Sequence, residues 1–263
     1  MKNDHTFVVL AYKESEYLEK CIKSVVNQSK KTNVVIATST PNDFINGLSK
    51  KYNLNVIINK ETKGLANDFN FAINCVDSDL VTIAHQDDVY DKEYAYEIMN
   101  QYNKYKDSII FYTDYYEIRN KNKVYSNTNL KIKKILLLFT KSRFLSKYKF
   151  FKRSAIRFGN GICCPSVTFC KKNITEKDFF DSHFTCDMDW STWEKFSKMK
   201  GRFIYINKPL MGHRVHEEST TTEIINSGVR TKEDYEMFIK FWPKATAKLI
   251  NRFYKNSEKS NKV

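Results

Sequence analysis

The chain lacks several features that would place it in other protein classes. Its six cysteines (Cys21, Cys75, Cys163, Cys164, Cys170 and Cys186) form no CxxC pair and no zinc-type spacing, which argues against a cysteine-held metal. Cys21 and Cys75 fall within apolar helical patterns, where a free thiol behaves as a small core residue. No stretch reaches the roughly 18 apolar residues of a membrane span. Lys13, Glu14, Glu16 and Glu19 break the first apolar run, so residues 1–20 show no signal-peptide pattern. There is no internal repeat and no low-complexity linker. Reduced thiols and no export pattern lead us to expect a cytoplasmic protein. Acids are wholly missing from residues 130–157, which carry ten Lys and Arg.

What is present suits a folded domain. Of 263 residues, 41% are hydrophobic and 14% aromatic, enough for a sizeable core. The net charge of +14 implies an anionic partner: nucleic acid, an acidic lipid surface or a phosphorylated substrate. No nucleic-acid motif appears, and the basic residues lie away from the expected sheet edge. We therefore expect no nucleic-acid partner.

Strand and helix patterns alternate at short intervals. Thr6 to Ala11 reads as a strand, Ser15 as the cap of a helix carrying Leu18, Cys21, Ile22 and Val25, and Asn33 to Ala37 as a second strand. A helix through Ile45 and Leu48, a strand at Val56 to Ile58, a helix opened by Gly64 and a strand from Leu80 to Ala84 follow. This order predicts right-handed βαβ units, a mostly parallel sheet and a binding crevice at the carboxyl ends of its strands. Tyr12, Thr38, Ser39 and Asp87 fall there. Further on we expect a helix over Glu93 to Tyr105 and a strand over Ser108 to Thr113. A helix over Asp189 to Met199, a strand from Arg202 to Ile206 and a helix from Glu233 to Tyr254, kinked at Pro243, complete the pattern.

Four constellations carry chemistry. The apolar run Leu80 to Ala84 ends in His85-Gln86-Asp87-Asp88. Adjacent carboxylates repel unless a cation relieves them, and Mg²⁺ or Mn²⁺ gripping a diphosphate would do so. Asp187 and Asp189 stand at the start of a helix with Trp190 and Trp193. Either acid would serve as a helix cap or as a general base, and the indoles as core or as a platform for a sugar ring. His213-Arg214-Val215-His216 offers an imidazole for a metal and a guanidinium for a phosphate. The basic segment 130–157 interleaves Leu and Phe, and Lys240, Lys244, Lys248 and Arg252 recur at four-residue spacing. We expect both to face an anionic membrane surface.

Taken together, these residues resemble the family 2 glycosyltransferases over about residues 5–220. Phe7 to Glu14 is similar to that family's first strand and nucleotide loop, and Tyr17 to Gln28 to its first helix. Lys63-Gly64-Leu65-Ala66 with Asn70, Gln86-Asp87-Asp88, Asp189-Trp190, and Arg214-Val215-His216 with Ser219 match its later motifs. His85 stands where the family often has an acid, Thr38 to Thr40 where it has the acid that meets the base, and Phe69 where a basic residue is usual.

The resemblance implies a GT-A fold, a Rossmann-like mostly parallel sheet flanked by helices, over residues 1–220, with a helical extension at 221–263. It implies inverting transfer from a nucleotide diphosphate sugar, a UDP-sugar being favoured. The donor would meet Ala11, Tyr12, Glu14, Thr38, Lys63, Asp68, Gln86, Asp87 and Arg214. Asp87, Asp88 and His216 would hold the metal, Asp189 or Asp187 would act as base, and Trp190 and Trp193 would meet the acceptor, a glycan or lipid-linked hydroxyl. The setting would be bacterial surface polysaccharide synthesis on the inner face of the cell membrane. The alternative is a nucleotidyltransferase acting on a sugar phosphate, but Ala11 to Ser15 lacks the glycine-rich loop such enzymes place after the first strand.

Overall fold

The computed structural model describes residues 4–60, 64–216 and 229–258. Strands β1 (His5–Ala11), β2 (Asn33–Thr38), β3 (Asn55–Ile58) and β4 (Leu80–His85) run parallel, with β1 paired to both β2 and β4 and β2 to β3. Helices α1 (Leu18–Val26), α2 (Asp43–Tyr52) and α3 (Leu65–Asn74) connect them. The βαβ units expected from the alternation are all present.

Side-chain alternation along β1 explains why both faces are covered. Phe7, Val9 and Ala11 enter one hydrophobic core and Val8 the other. Leu18, Cys21, Ile22 and Val25 of α1 fill the first core at helical spacing. α3 closes on the opposite face through Ala66, Phe69, Ala72 and Ile73. Its cap is Gly64 at φ +125, a conformation that a Cβ would strain. Ser15 is not the cap of α1. Tyr17 takes that position, and the Ser15 hydroxyl and carbonyl accept from the amides of Tyr17 (3.3 Å) and Leu18 (3.2 Å), which tightens the loop before the helix.

The second half of the sheet is mixed. It adds β5 (Val89–Tyr90), β6 (Ser108–Arg119), β7 (Asn122–Val124), β8 (Val167–Cys170) and β9 (Arg202–Val215). The order is β3-β2-β1-β4-β8-β6-β9-β5, with β7 on the outer part of β6. β8 wedges antiparallel between β4 and β6. Two strands run further than their sequence pattern indicated. β6 continues past Thr113 to Arg119, and β9 passes through Pro209 to Val215. The register jumps where Thr113, Asp114 and Tyr115 face Ile206, Pro209 and Met211, so the proline sits at a bulge where its missing N–H costs no ladder bond.

The remaining helices are α4 (Tyr94–Lys104), α5 (Thr128–Leu136), α6 (Lys149–Ser154), α7 (Met188–Ser197), α8 (Val229–Ile239) and α9 (Lys244–Glu258). The single kinked helix expected over Glu233 to Tyr254 is two helices, because Pro243 cannot continue the first. Lys240 consequently lies in the intervening turn, off the face that Lys244, Lys248 and Arg252 share. Met237, Phe238 and Ala247 of this pair enter the same core as Val8, Phe169 and Trp190.

Candidate functional site

The carboxyl ends of β1, β2 and β4 form one wall of the site. Tyr12 leaves β1 with its ring half exposed. Its backbone N–H donates to Gln86 Oε1 (2.9 Å), and Gln86 Nε2 donates back to its carbonyl (3.2 Å). Gln86 thereby ties the end of β4 to the end of β1. Thr38 is buried at the end of β2, its hydroxyl accepting from Thr40 N (3.0 Å). The carboxylate of Asp68, from the first turn of α3, reaches the same place. It accepts from Ser39 Oγ (2.8 Å) and Asn59 Nδ2 (2.8 Å). An acid absent from the chain after β2 is thus supplied to that point by α3. Ala11 is buried in β1, and Glu14 is exposed. Lys63 and Ser219 lie outside the described residues.

The second wall forms because β5 pairs antiparallel with β9, Val89 opposite Gly212 and Tyr90 opposite Met211. That pairing lays Asp88 beside His213 and Arg214. Asp88 is fully buried and accepts from the Arg214 backbone N–H (2.8 Å), with His213 Nδ1 3.2 Å from the same oxygen. The Arg214 side chain donates to the Asp87 carbonyl (2.8 Å) and lies 4.3 Å over the Tyr17 ring. His216 Nε2 is 3.0 Å from Asp87 Oδ2. Burial works to raise the Asp87 carboxyl. The His216 contact and the nearby His85 and His213 outweigh it, leaving that group below the ordinary carboxylate range. For His213, burial works downward, but the Asp88 charge and contact prevail and the imidazole is pushed up.

The donor set is compatible with a divalent cation. One ligand atom from each of His85, Asp87 and Asp88 lies within 4.8 Å of the others. His85 Nε2 is buried and has no hydrogen-bond partner among the described residues. One imidazole nitrogen with two carboxylates suits Mn²⁺ at least as well as Mg²⁺. His85, standing where the family often has an acid, thus supplies a nitrogen in place of a carboxylate. His216, expected as a ligand, lies beside that group, its Nε2 3.0 Å from Asp87 Oδ2.

The start of α7 carries the two acids expected as candidate bases. Asp189 is half-buried and Asp187 buried. Asp189 Oδ1 accepts from Trp190 N (2.6 Å) and Oδ2 from Asn160 Nδ2 (2.8 Å). Burial pushes both carboxyls up, Asp187 to about 7. Burial also pushes up the Cys163 thiol, and the charges of Asp88 and Asp189 both add to that effect. Lys133 of α5 places its ammonium 5.3 Å from the Tyr115 ring centroid.

The tryptophans do not line this cleft, contrary to their expected contact with an acceptor. Both are 0% exposed. Trp190 Nε1 donates to Ile156 O (2.8 Å), and Trp193 stacks on Phe169 with centroids 5.8 Å apart. Their spacing is core spacing. Asn160 was missed as a partner of Asp189 because only the tertiary fold brings its loop to α7. Asn160 stands in a turn-rich stretch, which was its one sequence signal.

Residues 6–179 match the family model described as Glycosyl transferase family 2. A search of curated protein sequences finds no match. Among solved structures, the chain is similar to TarS 1-349 of S. aureus in complex with UDP-GlcNAc. The TM-score is 0.66 and the identity 14%, over 94% of this chain and 70% of that one. It is also similar to the mannosyltransferase PcManGT of Pyrobaculum calidifontis in complex with GDP-Man and Mn²⁺. There the TM-score is 0.67 and the identity 14%, over 99% of this chain and 74% of that one.

Proposed function

The chain belongs to glycosyl transferase family 2 and is a GT-A glycosyltransferase that uses a nucleotide sugar; on that premise we propose that its transfer is metal-dependent and inverting, with Asp189 as base. The observation that carries this reading is the meeting of the His85, Asp87 and Asp88 ligand atoms with the end of β9. A cation held there would neutralise charge on the departing diphosphate. Tyr12, half exposed, lines the nucleotide pocket, and the buried Thr38 shapes it from beneath through Thr40, with the Asp68 carboxylate, held by Ser39 and Asn59, beside it. Arg214 adds a second positive charge beside the leaving group. Asp189 accepts the proton of the acceptor hydroxyl, whose oxygen bonds to the anomeric carbon as the bond to the diphosphate breaks on the opposite face. Asp187 is closed off by burial.

A donor screen tests this. We expect release of nucleoside diphosphate from one UDP- or GDP-sugar in the presence of Mn²⁺, with UDP-sugars the first candidates, since the TarS complex holds UDP-GlcNAc and the PcManGT complex GDP-Man. No turnover of any nucleotide sugar, with or without an added glycan or lipid-linked acceptor, would refute it.

We further assign the acceptor to an anionic membrane surface, as in bacterial surface polysaccharide synthesis. Among the described residues no helix is long and apolar enough to cross a membrane, so contact would be peripheral. Ile135, Phe144, Phe150 and Phe253 expose 60–68% of their surface, next to exposed Lys131, Lys147, Lys149 and Arg252. The basic segment is not uniformly free for this purpose. Lys152 is buried and donates to Met199 O (2.6 Å) and Gly201 O (3.1 Å), Arg153 pairs with Glu194, and Arg143 donates to Tyr205 O (2.7 Å). At roughly 1 kcal/mol per cation near the lipid, the exposed ones suffice for salt-sensitive binding. The protein is expected to sediment with anionic vesicles and not with neutral ones, and Phe144→Ser with Phe150→Ser to weaken this severalfold. Equal partition to both vesicle types, or to neither, would contradict it.

A further inference from the structure

One carboxylate of α8 binds the turn that enters α7. Glu233 is buried, and its side chain faces three successive amides of the turn that enters α7. Oε1 accepts from Thr185 N (2.9 Å), and Oε2 from Cys186 N (2.8 Å) and Asp187 N (3.0 Å). Consecutive N–H groups converging on one point form an anion-binding concavity, and charge-assisted bonds of this kind are among the stronger ones. Ser191 N donates to the Asp187 carbonyl (2.8 Å), which starts the helix. Asp187 occupies the cap position of α7 without making a side-chain capping bond. Asp189 follows two residues later, its own oxygens turned to Trp190 N and Asn160 Nδ2. α8 is anchored independently, with Phe238 edge-on to Trp190 at 5.1 Å. The family match ends at residue 179, so this support lies wholly beyond it.

We propose that Glu233 is a positioning residue, holding the 185–187 turn so that Asp189 meets the acceptor hydroxyl in register; this rests on the reading of Asp189 as base. A shift of about 1 Å in a catalytic group costs on the order of 10²-fold in rate. Glu233→Gln keeps the volume but removes the charge and turns an amide NH₂ toward N–H donors.

The test compares Glu233→Gln with Glu236→Gln, a half-buried neighbour on α8 that pairs with His183 at 2.9 Å. In Glu233→Gln, kcat should fall about 10–100-fold, while donor KM and nucleoside diphosphate affinity stay within about twofold of wild type. Glu236→Gln should match wild type in all three. Should Glu233→Gln not fold, Glu233→Asp keeps the charge and shortens the reach, and should show the same lowered kcat at unchanged KM. An unchanged kcat in the folded variant, or KM and affinity deteriorating in step with kcat as general loosening would produce, overturns the proposal. Asp189→Asn is measured alongside. If it stays active, the base assignment has failed; if it is inactive while Glu233→Gln is normal, only the role of Glu233 has.

Discussion

Asp189→Asn should lower transfer by about 10²–10⁴-fold while nucleoside diphosphate binding is retained. The asparagine keeps the size of the side chain and an oxygen for Trp190 N, but it cannot take a proton from the acceptor. The nucleotide pocket, built at the ends of β1, β2 and β4, does not depend on it. Asp187→Asn should cost far less, because that carboxylate is 5% exposed and turned into the protein. The pH profile adds an independent sign. Burial raises the Asp189 carboxyl above its ordinary range. The base works only when ionised, so kcat should be present above that raised value and fall as pH drops through it. The acidic limb is thus displaced upward from the ~3.9 of a free Asp. Full turnover in Asp189→Asn would end its assignment as base.

Asp88→Asn should act on binding and chemistry together. Asp88 is the point at which β5 and β9 are joined, fully buried, on the Arg214 amide and beside His213. Loss of its charge removes one donor from the His85, Asp87 and Asp88 group and leaves His213 facing an amide. A charge-stabilising interaction worth about 4 kcal/mol to the departing diphosphate corresponds to roughly 10³-fold in turnover. The weakened charged hydrogen bond should also lower stability, by about 1.5–3 kcal/mol. Thermal melts and turnover read the two effects separately. A variant that melts earlier but retains metal-dependent turnover would leave Asp88 a purely structural role.

The first half of the fold was legible because it is local. Strands of four to seven residues with β-branched cores alternate with helices whose apolar residues recur every three or four positions. The second half was less so, because its features depend on distant partners. β9 carries a proline that ordinarily ends a strand, and only the bulge opposite Asp114 accommodates it. β8 is four residues long and gained its strand character from β4 and β6. The site divided in the same way. Asp87, Asp88, Arg214 and Asp68 stood out as charges at strand or helix ends, and the fold gathers them at the crevice. Trp190 and Trp193 were ambiguous, since core and platform tryptophans share one spacing, and burial resolved them. Glu233 and Asn160 carried no chemical signal, because they act on backbone amides and on Asp189 across 46 and 29 residues.

The most direct measurement is a calorimetric titration of the protein with UDP and GDP, with and without Mn²⁺, set beside a short oligonucleotide. Binding of one nucleoside diphosphate that tightens with the metal and is lost in Asp88→Asn is the predicted result. Metal-independent binding unchanged in Asp88→Asn, or tighter binding of the oligonucleotide, would contradict the assignment of this cleft to a metal-held nucleotide sugar.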